Sequence, residues 1–275
     1  RGMFSFSYKI LITTIVNTVS QNILSFIFGH LFKPQVVGNF TQANKWNNNA
    51  SGFISGTIAQ VAQPVLASIR DDGDREKRVF RKMLRFTAFL SFPAMFGLAM
   101  VGHEFIVTLI SDRWADSVLW LQILCIGGAF APIMGLYHNM SLSAGRSDIF
   151  MWCSIAQVVI QIIIVLATHV WGIDVMVTSY TVFNVLWLIV WQHNAYKMIG
   201  VTMGEVCRDI APSMFVSIVV MAVVYVVTLP LVNHNVVILL VRILLATVLY
   251  AVVMKAAHVE MMDECLKFVR KKIKK

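Results

Sequence analysis

The chain has 275 residues, of which 58% are hydrophobic and 13% charged, with a formal net charge of +9. A soluble domain carries about 25% charged residues, so this composition excludes an ordinary water-soluble fold. The positive surplus has no interleaved aromatics outside the apolar stretches, which argues against a nucleic-acid partner.

Eight apolar stretches follow one another at 8–32, 46–69, 83–110, 117–143, 149–169, 174–196, 212–232 and 236–256. Each is close to the roughly 20 residues that a helix needs to cross about 30 Å of hydrocarbon. The alternation of a membrane β-barrel is missing. Lipid leaves only helices or closed barrels, so the expected class is an all-α integral membrane protein with eight transmembrane helices. All of the 23 basic residues except Lys33, Lys45, Arg113 and Arg242 fall on one side of these spans. The positive-inside rule makes that side cytoplasmic, with both termini of the chain on it and anionic lipids as its partners.

In chain order, the first span carries Thr14, Asn17, Thr18, Gln21 and Ser25 on one helical face, with Asn22 beside them. The second presents Asn49, Gly56, Gln60, Gln63 and Ala67. The connection that follows, RDDGDREKRVFRK at 70–82, reads as a turn and then a solvated basic entry into the third span. His103 and Glu104 fall at the outer end of that span and read as interfacial. The fourth span has His138, Asn139 and Ser141 towards its cytoplasmic end and closes on Arg146. The fifth carries Ser154, Gln157 and Gln161, and the sixth Thr181 and Asn184. The last two spans are nearly bare of uncharged polar groups, and the sparse charges lie near the ends of spans, with no buried Asp, Glu, Lys or Arg at mid-span. Pro64, Pro93 and Pro132, with Gly97, Gly127, Gly128 and Gly135 nearby, fit bent helices around a cavity and fit static packing equally.

A single polar stripe is inter-helix glue, while several together fit a water-accessible cavity. On the cavity reading, the substrate-path candidates are Asn17, Gln21, Gln60, Gln63, His138, Asn139, Arg146, Gln157, Gln161 and Asn184. The Arg146 guanidinium has the bidentate fork that grips phosphate; an interfacial arginine in a tight turn is the plainer alternative. Cys125, Cys153, Cys207 and Cys265 are scattered, and the seven histidines lack metal-ligand spacing, so neither zinc nor another cofactor is expected. Residues 257–275 form a basic stretch with an amphipathic pattern, a surface anchor.

Several local motifs stand in a familiar order. Gln63-Pro64-Val65-Leu66-Ala67-Ser68-Ile69-Arg70-Asp71-Asp72 resembles the helix exit of polysaccharide flippases in the multidrug/oligosaccharidyl-lipid/polysaccharide exporter superfamily. Val37-Gly38-Asn39-Phe40-Thr41-Gln42-Ala43 is similar to the segment preceding it. Phe92-Pro93-Ala94, Ile110-Ser111-Asp112-Arg113-Trp114 and Ala144-Gly145-Arg146-Ser147-Asp148 resemble later signatures, with Ser111 where glycine is more usual. The subtype most resembled is the Wzx-like, colanic-acid type. The resemblance implies two six-helix lobes in a full protein. Residues 1–196 would be the second lobe with the N-terminal lobe absent, 197–256 two additional helices, and 257–275 the cytoplasmic tail. It implies alternating-access flipping of undecaprenyl-diphosphate-linked oligosaccharide across a bacterial inner membrane, without catalysis. A multidrug or small-cation exporter of the same superfamily would place a carboxylate in the cavity. A membrane-embedded polymerase or ligase would need a large outer loop, and a structural membrane subunit would pack its polar stripes with no cavity between them.

Overall fold

The structure is a computed structural model; it describes residues 27–69, 73–230 and 235–257, with positions 8, 11, 12, 14, 15, 18 and 262. Among these residues every long regular element is a helix: α1 (Pro34–Ser68), α2 (Gly73–Met100), α3 (Val118–Ser143), α4 (Ser147–Thr168), α5 (Ile173–Ile199), α6 (Met203–Thr228) and α7 (Asn235–Ala256). Six stretches are long and apolar enough to cross a membrane: α2, 112–143 including α3, 147–171 including α4, α5, α6, and 236–256 within α7. The first expected span lies largely outside the described residues. The second falls within α1, which is longer than the six but does not reach their apolarity.

Helix ends follow local chemistry. α1 starts twelve residues earlier than the apolar run of the second span because Pro34 occupies the first turn, where its fixed φ is pre-set and its missing N–H costs nothing. α2 starts at Gly73, so most of the expected loop is helical. Asp74 and Glu76 sit in its first turn, where carboxylates oppose the helix dipole. The third expected span breaks after Met100. A one-turn helix (Gly102–Phe105), a π-helical turn (Ile106–Ile110) and a 3-10 turn (Asp112–Ser117) then carry the chain to α3. α5 ends at Gly200, whose φ of 66° is the left-handed conformation that closes helices with little strain in glycine. Three residues later α6 opens with a capping box. The Thr202 side chain accepts from the Glu205 N–H while the Glu205 carboxylate accepts from the Thr202 N–H.

α3 is the central helix. α1, α2, α4 and α5 all pack against it, and α2 turns its other side to α6 and α7. Two apolar clusters follow from this arrangement. The larger runs through α1–α5 and includes Phe40, Leu84, Phe92, Leu121, Ile133 and Trp191. The smaller joins Val220, Met221 and Val224 of α6 to Ala246, Tyr250 and Met254 of α7, packed against Phe89 and Phe96 of α2. Two motifs that carried the family resemblance meet here. A Cβ on Gly38 would stand 3.4 Å from the Trp114 ring, so the absent side chain lets that indole lie on α1.

The trailing helices bring an ion pair that the sequence does not announce. Glu104 is buried, and its Oε1 accepts a hydrogen bond from Arg242 Nη1 of α7 at 2.7 Å. Arg242 also donates from Nε to Thr228 Oγ1 at 2.9 Å and lies 4.8 Å above the Tyr225 ring. The outer end of the third expected span is thus tied by an ion pair to the seventh residue of the last one. Each ion is held out of water by the other, which no local pattern around either residue announces.

The basic entry to α2 is corrected as well. Arg81 is not a solvated anchor; it donates to both oxygens of Asp209 at 2.7 and 3.0 Å and to Glu205 at 3.1 Å. Lys77 pairs with Glu205 at 2.9 Å. The start of α2 is thereby clamped to the start of α6 by a guanidinium fork on a carboxylate.

Candidate functional site

A small polar cavity lies where α1, α3 and α5 converge. Its amides and hydroxyls are Asn47, Asn48 and Ser51 of α1 and Tyr180, Thr181 and Asn184 of α5, and α3 lines it with Leu124, Gly127, Gly128, Phe130, Ala131 and Met134. It holds about 130 Å³, enough to admit ordered water. Apart from the Tyr180 phenol, none of these lining residues is ionisable.

The cavity exists because α3 is glycine-bearing where α1 crosses it. A Cβ on Gly128 would overlap the Asn47 amide oxygen and the Met95 methyl, so any larger residue there would push these two side-chain ends aside. A Cβ on Gly127 would stand 3.1 Å from the Thr181 methyl. Asn47 is buried, with its Oδ1 lacking a hydrogen-bond donor within the structure. Such an acceptor calls for a water or a ligand hydroxyl.

α4 joins from behind. Gln157 Nε2 donates to Asn184 Oδ1 at 3.1 Å, and Asn184 Nδ2 donates to the Tyr180 carbonyl at 2.9 Å. The Tyr180 side chain lies beside Gln161 and Asn184. Two sequence candidates, Gln157 and Asn184, are thus hydrogen-bonded to each other behind the cavity, and a third, Gln161, lies beside Tyr180.

The other candidates stand elsewhere. Asn17 and Gln21 lie outside the described residues. Gln60 and Gln63 are exposed on α1, on the same outward side as Asn49, Gly56 and Ala67. That side continues from the cavity through Asn48, which is exposed and also lines it. His138 sits in an aromatic pocket, its ring 4.5 Å from Trp191 and 5.2 Å from Phe150, with Nε2 lacking a partner. Asn139 is half-buried near the end of α3. Arg146 is exposed and pairs with Asp148 at 3.3 Å. It shares a cavity of about 540 Å³ with Lys197, Asn194 and Glu76, so the cation there stands beside a carboxylate.

Asn47, Ser51 and Tyr180 are cavity residues that the sequence stripes missed. A second missed network ties α3 to the α5–α6 turn: Tyr137 donates to Gln192 at 2.7 Å and Gln192 donates to the Val201 carbonyl at 2.7 Å. Among the described residues no group of histidine, cysteine and carboxylate side chains is arranged to hold a metal ion.

Comparison with known proteins agrees with the resemblance read from the motifs. The model of a family described as polysaccharide biosynthesis protein matches residues 1–119. An uncharacterized membrane protein in the cps region of Klebsiella pneumoniae is 24% identical over 167 residues, 61% of this chain and 34% of its own length. The teichuronic acid biosynthesis protein TuaB of Bacillus subtilis is 28% identical over 158 residues, 56% of this chain and 33% of its own. The lipopolysaccharide biosynthesis protein WzxC of Escherichia coli is 24% identical over 136 residues, 50% of this chain and 28% of its own. The chain therefore matches about a third of the length of these curated relatives. The fold is similar to that of the lipid II flippase MurJ in an inward closed conformation, with a TM-score of 0.69 at 13% identity, over 91% of this chain and 53% of that one. The family model, the curated relatives and the shared fold all point in the direction of the resemblance read from the motifs.

Proposed function

We propose that this chain serves as one lobe of a transporter that moves lipid-linked oligosaccharide repeat units across a membrane, without catalysing a reaction. The observation that carries the proposal is the uncharged polar cavity of α1, α3 and α5, continuous through Asn48 with the outward polar side of α1. Sugars are dense in hydroxyl groups, so amides and hydroxyls can replace their water one bond at a time. A lining without a carboxylate suits that cargo and does not favour the small-cation exporter.

In detail, residues 1–196 act as a C-terminal lobe, 197–256 as two trailing helices, and 257–275 as a basic tail. The partner surface is a preceding lobe that faces the outward side of α1, and the cargo is an undecaprenyl-diphosphate-linked glycan. The membrane is the bacterial inner membrane with both termini of this chain on the cytoplasmic side. The lobe similarity to MurJ and the basic bias of one set of loops support these points. Alternating access then requires α1 to meet water or sugar in one state and protein in the other.

The test is export in cells. The intact reading frame is expressed in a strain that lacks its repeat-unit flippase, and surface polysaccharide is quantified. Restored export is expected, and Asn47→Leu together with Asn184→Leu should cut it at least tenfold at unchanged protein level. Undiminished export by the double variant would remove the cavity from the substrate path.

A further inference from the structure

We infer that the α1–α2 groove is a binding site for an anionic glycerophospholipid, distinct from the polar cavity. The groove holds about 760 Å³ between the two helices. Ile58, Val61 and Val65 of α1 form one wall, and Met83 and Phe86 of α2 the other. Its polar lining is limited to Thr57, Thr87 and Lys82. The Thr57 hydroxyl is already spent on the Phe53 carbonyl at 2.9 Å, so it offers the groove little. Val61 and Phe86 are 58% and 40% exposed, a contiguous apolar surface in want of a hydrocarbon chain.

Lys82 also lines a second cavity, of about 340 Å³, whose other walls are Lys77, Arg78, Arg81 and Arg85. One lysine therefore stands at the junction of an apolar groove and a cationic one. Glu205 and Asp209 engage Lys77 and Arg81 from the α6 side. Arg78 and Lys82 are exposed on α2, one turn apart. A phosphate at Lys82 and Arg78 with an acyl chain between Val61 and Phe86 satisfies both cavities at once. A zwitterionic headgroup would bring a second cation against this surface, so the charge selects an anionic lipid. The groove and the polar cavity share no lining residue, which separates this lipid from the cargo path.

The test uses the full 275-residue chain in nanodiscs of phosphatidylcholine doped with one photo-reactive lipid, carrying the reactive group on its acyl chain. Cross-linked peptides are mapped by mass spectrometry. Photo-reactive phosphatidylglycerol should label peptides containing Val61 or Phe86 at least fivefold more than photo-reactive phosphatidylcholine. Arg78→Gln with Lys82→Gln should bring the two lipids to parity. Val61→Trp, which fills the groove without touching the charges, should reduce labelling by both. Equal labelling of the parent chain by the two lipids would overturn the site. So would loss of the phosphatidylglycerol signal on adding an equal amount of polyprenyl phosphate, which would hand the groove to the cargo lipid. Millimolar inorganic phosphate should leave labelling unchanged; displacement by it would reduce the site to a free-anion patch.

Discussion

Glu104 and Arg242 are 138 residues apart in the chain and 2.7 Å apart in space. Their side chains are 11% and 6% exposed, so each is the other's main compensation for lost water. The pair fastens the helix break after α2 to the trailing helix α7, at a point where Thr228 of α6 also joins.

Removing one partner strands the other. Arg242→Leu or Glu104→Leu should each lower stability by about 3–5 kcal/mol, the usual cost of an uncompensated buried charge. The double variant Glu104→Leu/Arg242→Leu should recover most of that loss. Thermal unfolding of the purified chain in detergent gives the cycle. Single variants within about 0.5 kcal/mol of the parent would mean that water reaches the pair.

The crossing of α3 over α1 predicts an asymmetry between glycines of one helix. Gly128→Ala would press on Asn47 and Met95 and should cost about 1–3 kcal/mol, the usual range for overpacking. Gly135→Ala meets nothing within 4 Å and should be neutral or slightly stabilising. Midpoints of thermal aggregation for the two variants, compared in the same detergent, decide it. Equal effects would show that α1 does not approach α3 as closely as described.

The hydrogen bond from Gln157 to Asn184 makes a different kind of prediction. Inter-helix hydrogen bonds in membranes are worth about 0.6 kcal/mol on average. Gln157→Leu should therefore barely change stability, yet it should reduce polysaccharide export by the intact protein several-fold. A large drop in stability with normal export per folded molecule would make the network a packing device.

The clamp between α2 and α6 separates two arginines three residues apart. Arg81→Gln leaves Asp209, whose side chain is 4% exposed, without its bidentate partner. A cost of about 1.5–3 kcal/mol follows for a hydrogen bond to a charged group. Arg78→Gln, at an exposed position, should change stability by less than about 0.5 kcal/mol. Urea or heat unfolding of both variants distinguishes them. A larger effect at Arg78 would refute the clamp.

Much of this was legible from hydropathy and spacing. Gln157, Gln161 and Asn184 stood out as amides inside apolar runs, and Gln157 and Asn184 do meet. The phase of α1 was harder to read. The run Asn47-Asn48-Asn49 offers three neighbouring helical directions, and a stripe through Asn49 is as regular as one through Asn47. Only the glycine gap at Gly128 on another helix turns Asn47 inward. The Thr202–Glu205 capping box carries a recognisable Thr-x-x-Glu signal, so the start of α6 could have been placed nine residues before its apolar run. Arg81–Asp209 and Glu104–Arg242 left no local trace, because long-range ion pairs have no period.

The outward side of α1 also bears on how the protein is made. Asn48, Gly52, Gly56 and Gln60 recur every four residues along a helix that is less apolar than the six able to cross a membrane by composition alone. Hydrocarbon gives such a helix little reason to leave the insertion machinery by itself. Its inward side is completed chiefly by α3, which is synthesised after it. The ribosome therefore delivers the poorly inserting helix first and its main partner later. α1 has to be sheltered at the translocon until α3 emerges, which makes biogenesis of this bundle a cooperative release of several helices rather than a one-by-one exit into lipid.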